Sequence, residues 1–155
     1  MKILQVVGFK NTGKTTLLEN MVRLLKAKRM KVAVIKHHHL DDGIVAEGND
    51  TSRFAGSGAD VTILNTPSRS MCIKNRTPDL GSQIDQLEGA VDVLLIEGCK
   101  HAAHPKIVLT YSFTDGHTNV GDMEFVNVLI YADMRYDESK IIEWFDEWSS
   151  DDETV

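Results

Sequence analysis

Eight consecutive residues, Gly8-Phe9-Lys10-Asn11-Thr12-Gly13-Lys14-Thr15, constrain this chain more than any other stretch, because they fit the spacing GxxxxGK[ST] of a phosphate-binding loop. Glycines in such a loop let the backbone curl until its N–H groups point at phosphate oxygens, and a helix after the loop adds the positive end of its dipole. In that arrangement Lys14 reaches the β- and γ-phosphates, and the Thr15 hydroxyl binds Mg²⁺. Gly8, Asn11, Thr12, Gly13, Lys14, Thr15 and Thr16 are the candidate nucleotide-binding residues.

The flanking sequence supports the loop. Lys2-Ile3-Leu4-Gln5-Val6-Val7 is a short apolar run suited to a buried parallel strand. Downstream, Leu17, Leu18, Met21, Val22, Leu24 and Leu25 share one helical face, with Glu19, Arg23, Lys26 and Lys28 on the other. Residues 31–36 then read as a second strand, which completes a right-handed βαβ unit.

Further along, His37-His38-His39 and the polar residues 41–49 read as a loop at the C-terminal end of that strand, where α/β folds place ligands. Residues 50–54 begin a short helix with Asp50 as its cap, ending at Gly56 or Gly58. Residues 60–64 and 70–74 read as two strands of a hairpin around Asn65-Thr66-Pro67-Ser68. Pro78-Asp79 opens a helix that keeps Leu80, Ile84 and Leu87 in register until Gly89 stops it. The most hydrophobic strand, 91–96, ends in Glu97-Gly98. Two more strands come at 106–111 and 125–131, with the glycine- and aspartate-rich residues 114–122 as a turn between them. An amphipathic helix over 137–148 closes the chain. The expected architecture is α/β in three layers, a mainly parallel twisted sheet flanked by helices.

At 155 residues and 42% hydrophobic content, the chain is expected to be one nucleotide-binding domain over residues 1–155, with 149–155 as a frayed acidic tail. The formal net charge of −6 and the lack of a basic cluster argue against a nucleic-acid partner. Cys72 and Cys99 form no CxxC site and read as reduced thiols. The apolar run at the N-terminus is too short for a signal peptide or a membrane span, so a cytoplasmic protein with no membrane partner is expected.

A nucleotide hydrolase of this kind needs an acid at the end of a buried strand beside the phosphate loop, to hold Mg²⁺ or orient the attacking water. Glu97 is the best candidate; the alternative is a carboxylate paired with a nearby lysine. Asp92 opens the same strand, lies at the opposite edge of the sheet and reads as structural. Asp41, Asp42 and Asp50 lie where this class places its metal-contacting switch loop. Asp50 is favoured because Arg53 stands at i+3, which joins a metal-directed carboxylate to a phosphate-directed guanidinium. The alternative there is a helix cap with a surface ion pair. Lys100 either adds charge at the phosphate end or is solvated. His37 and His39 point to one side of an extended segment, so a zinc or nickel site with His101, His104 or Cys99 stands beside polar contacts to nucleotide or partner.

Taken together, Gly8 to Thr15, the histidine run after the second strand, Asp50-Thr51-Ser52-Arg53 leading to Gly58-Ala59, and Glu97-Gly98-Cys99-Lys100 with Pro105-Lys106-Ile107 resemble the molybdopterin-guanine dinucleotide biosynthesis protein B family. The likeness runs over most of the chain. The resemblance implies a P-loop NTPase fold and a GTP-binding protein with weak Mg²⁺-dependent hydrolysis. It also implies a homodimer that assists the molybdopterin guanylyltransferase, protein A of the same pathway. No NKxD-type guanine-reading motif is present, so GTP over ATP rests on the resemblance. Family members often carry an aromatic residue after Glu-Gly, where this chain has Cys99. Two other readings compete: a nucleotide-gated metallochaperone using His37 to His39, and a small-molecule kinase, the latter weakened by the lack of an arginine-rich lid.

Overall fold

The apolar run ahead of the phosphate loop forms β1 (Lys2–Gly8), and from Leu4 onward every residue of it is buried. A strand with apolar side chains on both faces belongs in the middle of a sheet. β5 (Val93–Glu97) lies parallel to it on one side, with Leu4 opposite Leu95 and Val6 opposite Glu97. β6 (Lys106–Leu109) lies parallel on the other. β2 (Val32–Lys36) and β9 (Val128–Ala132) complete a five-stranded parallel sheet in the order β2-β5-β1-β6-β9. The computed structural model describes residues 1–38, 49–120 and 123–151.

Helix α1 (Lys14–Ala27) turns Leu17, Leu18, Met21 and Leu25 onto this sheet. Helix α4 (Glu138–Ser150) adds Ile141 and Phe145, and together they close one core over Leu4, Val6, Leu95, Ile107 and Leu109. The mainly parallel sheet flanked by helices is the expected α/β architecture. The tail is shorter than the sequence suggests, because α4 continues through Ser150. Ser149 is buried, and Lys28 Nζ donates to its hydroxyl at 3.0 Å and to the Asp146 carbonyl at 2.7 Å. Those long-range contacts supply what local sequence could not reveal.

The chain groups into two compact units, Met1–His37 with Asp85–Val155, and His38–Ile84. The second unit holds α2 (Asp50–Gly56) and the antiparallel hairpin of β3 (Val61–Asn65) and β4 (Ser70–Lys74), the hairpin being as expected. Asn75 Nδ2 joins hairpin to helix by donating to the carbonyls of Ala55 and Ala59 at 2.8 and 2.7 Å. The cap of α2 is Asn49 rather than Asp50: its Oδ1 accepts from the Ser52 N–H at 2.8 Å, which leaves Asp50 inside the first turn. The boundary between the units falls inside α3 (Leu80–Leu87), where Asp79 Oδ2 accepts from the Ser82 N–H at 3.2 Å.

One connection differs in kind from the sequence reading. β6 and β9 are parallel neighbours, so residues 114–122 cannot act as a tight turn between them. The chain instead forms a small antiparallel pair, β7 (Tyr111–Ser112) with β8 (Gly116–His117), before it returns. Among the described residues no helix is long and apolar enough to cross a membrane.

Candidate nucleotide site

The candidate phosphate loop runs from the buried end of β1 into α1, and its shape rests on three positions. Asn11 and Gly13 adopt left-handed backbone, with φ of 57° and 88°. Gly8 serves differently. A Cβ there would lie 2.7 Å from Thr12 Oγ1 and 3.0 Å from the Leu109 carbonyl, so a side chain is excluded by close approach to β6. Thr12 is buried and donates to the Phe9 carbonyl at 3.1 Å, which holds the curl. No side chain caps α1, and the N–H groups of Lys14, Thr15 and Thr16 in its first turn face outward at the positive end of the helix. Thr15 and Thr16 are both exposed.

Lys14 Nζ donates to the Phe9 carbonyl at 2.5 Å. Burial holds its pKa below the ordinary value of 10.5; Glu97 opposes that shift, and Lys100 and Lys36 reinforce it. Four ionisable groups thus share one small volume. The Thr15 hydroxyl donates to Glu97 Oε2 at 3.2 Å, while Lys36 Nζ, at the end of β2, lies 3.5 Å from Glu97 Oε1. Both carboxylate oxygens therefore have a partner: one from the loop, one from the sheet edge. The hydroxyl and carboxylate oxygens of Thr15 and Glu97 form the hard donor set that suits Mg²⁺. Lys100 Nζ sits over the Phe9 ring at 4.6 Å, so it lies beside the loop.

A family model described as molybdopterin guanine dinucleotide synthesis protein B matches residues 3–129. This chain belongs to the MobB family. A relative from Bacillus subtilis (strain 168), named as a probable molybdopterin-guanine dinucleotide biosynthesis adapter protein, is 36% identical over 110 residues, 69% of this chain and 64% of that one. The adapter protein of Escherichia coli (strain K12) is 34% identical over 122 residues, 74% of this chain and 66% of that one. The chain thus spans just under two thirds of the length of these curated relatives. The crystal structure of Bacillus subtilis MobB superposes with a TM-score of 0.77 at 26% identity, covering 99% of this chain and 100% of that one. A MobB homologue from Bacillus stearothermophilus, at TM-score 0.70 and 24% identity over 96% of this chain and 98% of that one, shares the fold.

Asp50 and Arg53 lie in the second unit and pair with each other at 3.5 Å, both largely exposed. His39, Asp41 and Asp42 lie outside the described residues. Among the described residues no group of three or more His, Cys, Asp or Glu side chains is placed to hold a metal. Burial raises the Cys99 thiol above its usual pKa and lowers that of His104. Asp92 is structural: its Oδ2 accepts from the Lys31 N–H at 2.6 Å.

Sequence reasoning passes over three residues that shape the MobB site. Lys36 reads in sequence only as the end of a strand. Gln5, fully buried in β1, donates through Nε2 to the carbonyls of Gly98 and Cys99, both at 2.5 Å, and so holds the chain just beyond Glu97. A polar residue within a buried apolar strand is the available signal. Gly98, with φ of 88°, lets the chain turn where a Cβ would meet the His37 carbonyl at 3.0 Å.

Proposed function

We propose that this chain binds GTP with Mg²⁺ through residues 8–16 and acts as a nucleotide-loaded adapter in molybdopterin-guanine dinucleotide biosynthesis. The observation that carries the reading is the meeting of Thr15, Glu97 and Lys14 at the mouth of the loop. Thr15 and Glu97 are joined at 3.2 Å, and Lys14 lies close enough to Glu97 for the carboxylate to act on its pKa. Membership of the MobB family and the names of its curated relatives support the pathway. In this reading the outward N–H groups of Lys14, Thr15 and Thr16 receive phosphate oxygens, as Lys14 turns from the Phe9 carbonyl to the β- and γ-phosphates. Thr15 and Glu97 would hold the metal, which when bound would supply neutralisation of phosphate charge. Glu97 also orients the attacking water. Asp50 and Arg53 act as the switch pair, each leaving the other to meet metal and phosphate. The protein works in the cytoplasm as a homodimer, hydrolyses GTP weakly, and delivers its effect through the molybdopterin guanylyltransferase.

Titration of the protein with fluorescent GTP and ATP analogues, with Mg²⁺ and with EDTA, tests this reading. Tighter binding of GTP that weakens without Mg²⁺ is the expected result. Absence of binding to either nucleotide overturns it, and preference for ATP overturns the choice of base.

A further inference from the structure

We propose that the base of the bound nucleotide stacks on Phe113, on a ledge that the β7–β8 pair and the turn after β9 build beside the phosphate loop. The inference rests on the phosphate-loop reading above and adds the half of the nucleotide that the sequence motif leaves unaddressed. Residues 8–15 account for phosphates alone, and no NKxD motif accounts for a base. In open parallel sheets ligands lie in the crevice beyond the carboxyl ends of the strands. β6, next to β1, and β9, on the far side of β6, end there, and the residues just beyond them are rich in aromatic rings and carry Arg135.

The ledge is fastened to the phosphate loop at three points. The Phe113 N–H donates to the Asn11 carbonyl at 2.8 Å, the Ser112 hydroxyl to the Lys10 carbonyl at 2.9 Å, and Asn11 Nδ2 to Thr114 Oγ1 at 3.3 Å. From the end of β9 comes Met134, whose Cγ lies 3.1 Å from where a Cβ on Gly13 would stand, with Phe113 Cε2 at 3.6 Å from the same point. Gly13 is therefore flanked by two apolar side chains of the ledge. Met134 is buried, yet Phe113 is 59% exposed. An apolar ring fixed against the loop by its own backbone, with most of its surface in solvent, is a stacking surface with an open face.

Its support is rigid. Tyr111 meets Phe113 edge-on at 5.8 Å between ring centroids, and His117 meets Tyr111 edge-on at 5.3 Å. The Arg135 guanidinium lies 3.3 Å over the Tyr111 ring and donates to Asp133 through Nη2 at 2.7 Å and through Nε at 3.0 Å. The Arg135 bonds hold the Asp133 carboxyl below its usual pKa, so both groups stay charged at neutral pH. Arg135 is thus a positioning residue, which locks Tyr111 and through it the angle of Phe113. A preformed aromatic face spares the ordering cost of binding, and any purine offers it a matching π-surface.

The test compares ligands that share the phosphates and differ in the base. GTP, ATP and inorganic tripolyphosphate are titrated by calorimetry into the full chain and its Phe113→Ala and Phe113→Tyr variants, each first shown folded by thermal melting. Phe113→Ala is expected to weaken both nucleotides by about 5- to 150-fold, the span of one aromatic stack. Tripolyphosphate affinity stays unchanged, and Phe113→Tyr restores nucleotide binding. Unchanged nucleotide affinity in Phe113→Ala overturns the proposal. So does an equal loss for tripolyphosphate, which would make Phe113 a prop for the loop. Failure of the parent protein to bind tripolyphosphate at all removes the phosphate-loop reading, and the ledge with it.

Discussion

The Thr15 hydroxyl donates to Oε2 of Glu97 at 3.2 Å, joining residues 82 positions apart in sequence. The contact exists because β1 and β5 are parallel and in register, with Val6 opposite Glu97. The loop that leaves β1 and the acid that ends β5 are therefore delivered to the same edge of the sheet. Neither residue is placed by its own neighbours.

Lys14→Ala is expected to weaken nucleotide binding by about 10- to 150-fold, the worth of a charged hydrogen bond, without unfolding the protein. Lys14 donates to the Phe9 carbonyl, outside the apolar core. Fluorescent-nucleotide titration paired with a thermal melt checks both halves, and undiminished affinity would rule out the phosphate-loop assignment.

The same lysine sets a pH dependence. Only protonated Lys14 attracts phosphate, and burial lowers its pKa from 10.5. As pH rises, affinity should begin to fall before an ordinary lysine would lose its proton. Titrations across the alkaline range in parent and Lys14→Ala reveal this. A parent profile as flat as that of the variant would show that Lys14 charge takes no part.

Glu97→Gln should lower GTP turnover by about 10²-fold or more while changing affinity less, since a water-orienting group acts mainly in the transition state. Single-turnover hydrolysis beside equilibrium binding separates the two. Equal turnover in variant and parent returns Glu97 to a structural role, held by Thr15 and Lys36.

Gly8→Ala should destabilise the fold by about 1–3 kcal/mol through overpacking. The added Cβ meets the Leu109 carbonyl at 3.0 Å and Leu109 Cβ at 3.2 Å, both in a buried neighbouring strand with little room to move. The midpoint of denaturant unfolding reads this directly. An unshifted midpoint would mean that β1 and β6 can part at no cost.

Hydrolysis by the isolated protein should be slow, below about 1 per second, the low end of ordinary enzymes. Arg53 is paired with Asp50 at 3.5 Å, and an ordered arginine contributes about 10³ to 10⁵ in rate. Steady-state assays with and without the molybdopterin guanylyltransferase measure the share of that proposed partner. Fast turnover without it contradicts the proposed adapter role.

Much of this protein is legible in its residues, for a physical reason visible in each case. The curl of residues 8–13, α1 and the β3–β4 hairpin depend on backbone conformations and side-chain spacing set within a few positions of sequence. Local chemistry suffices for them. Glu97 is legible because a carboxylate closing a buried apolar strand must lie at that strand's end. Reading fails where two local solutions compete, as with Asn49 and Asp50 for the cap of α2: both side chains can cap, and a shift of one residue decides.

Tertiary structure alone decided the rest. That Gly8 is needed for close approach to Leu109, that Lys36 reaches Glu97, and that Arg135 stacks on Tyr111 are facts about strands placed side by side. The parallel pairing of β6 with β9, which turns an expected tight turn into the β7–β8 ledge, is another. Lateral pairing joins residues tens of positions apart, and its free energy comes from burying apolar faces that many registers would satisfy. The composition of a strand states that it must be covered; only the assembled sheet determines by which neighbour, and so which side chains meet at its edge.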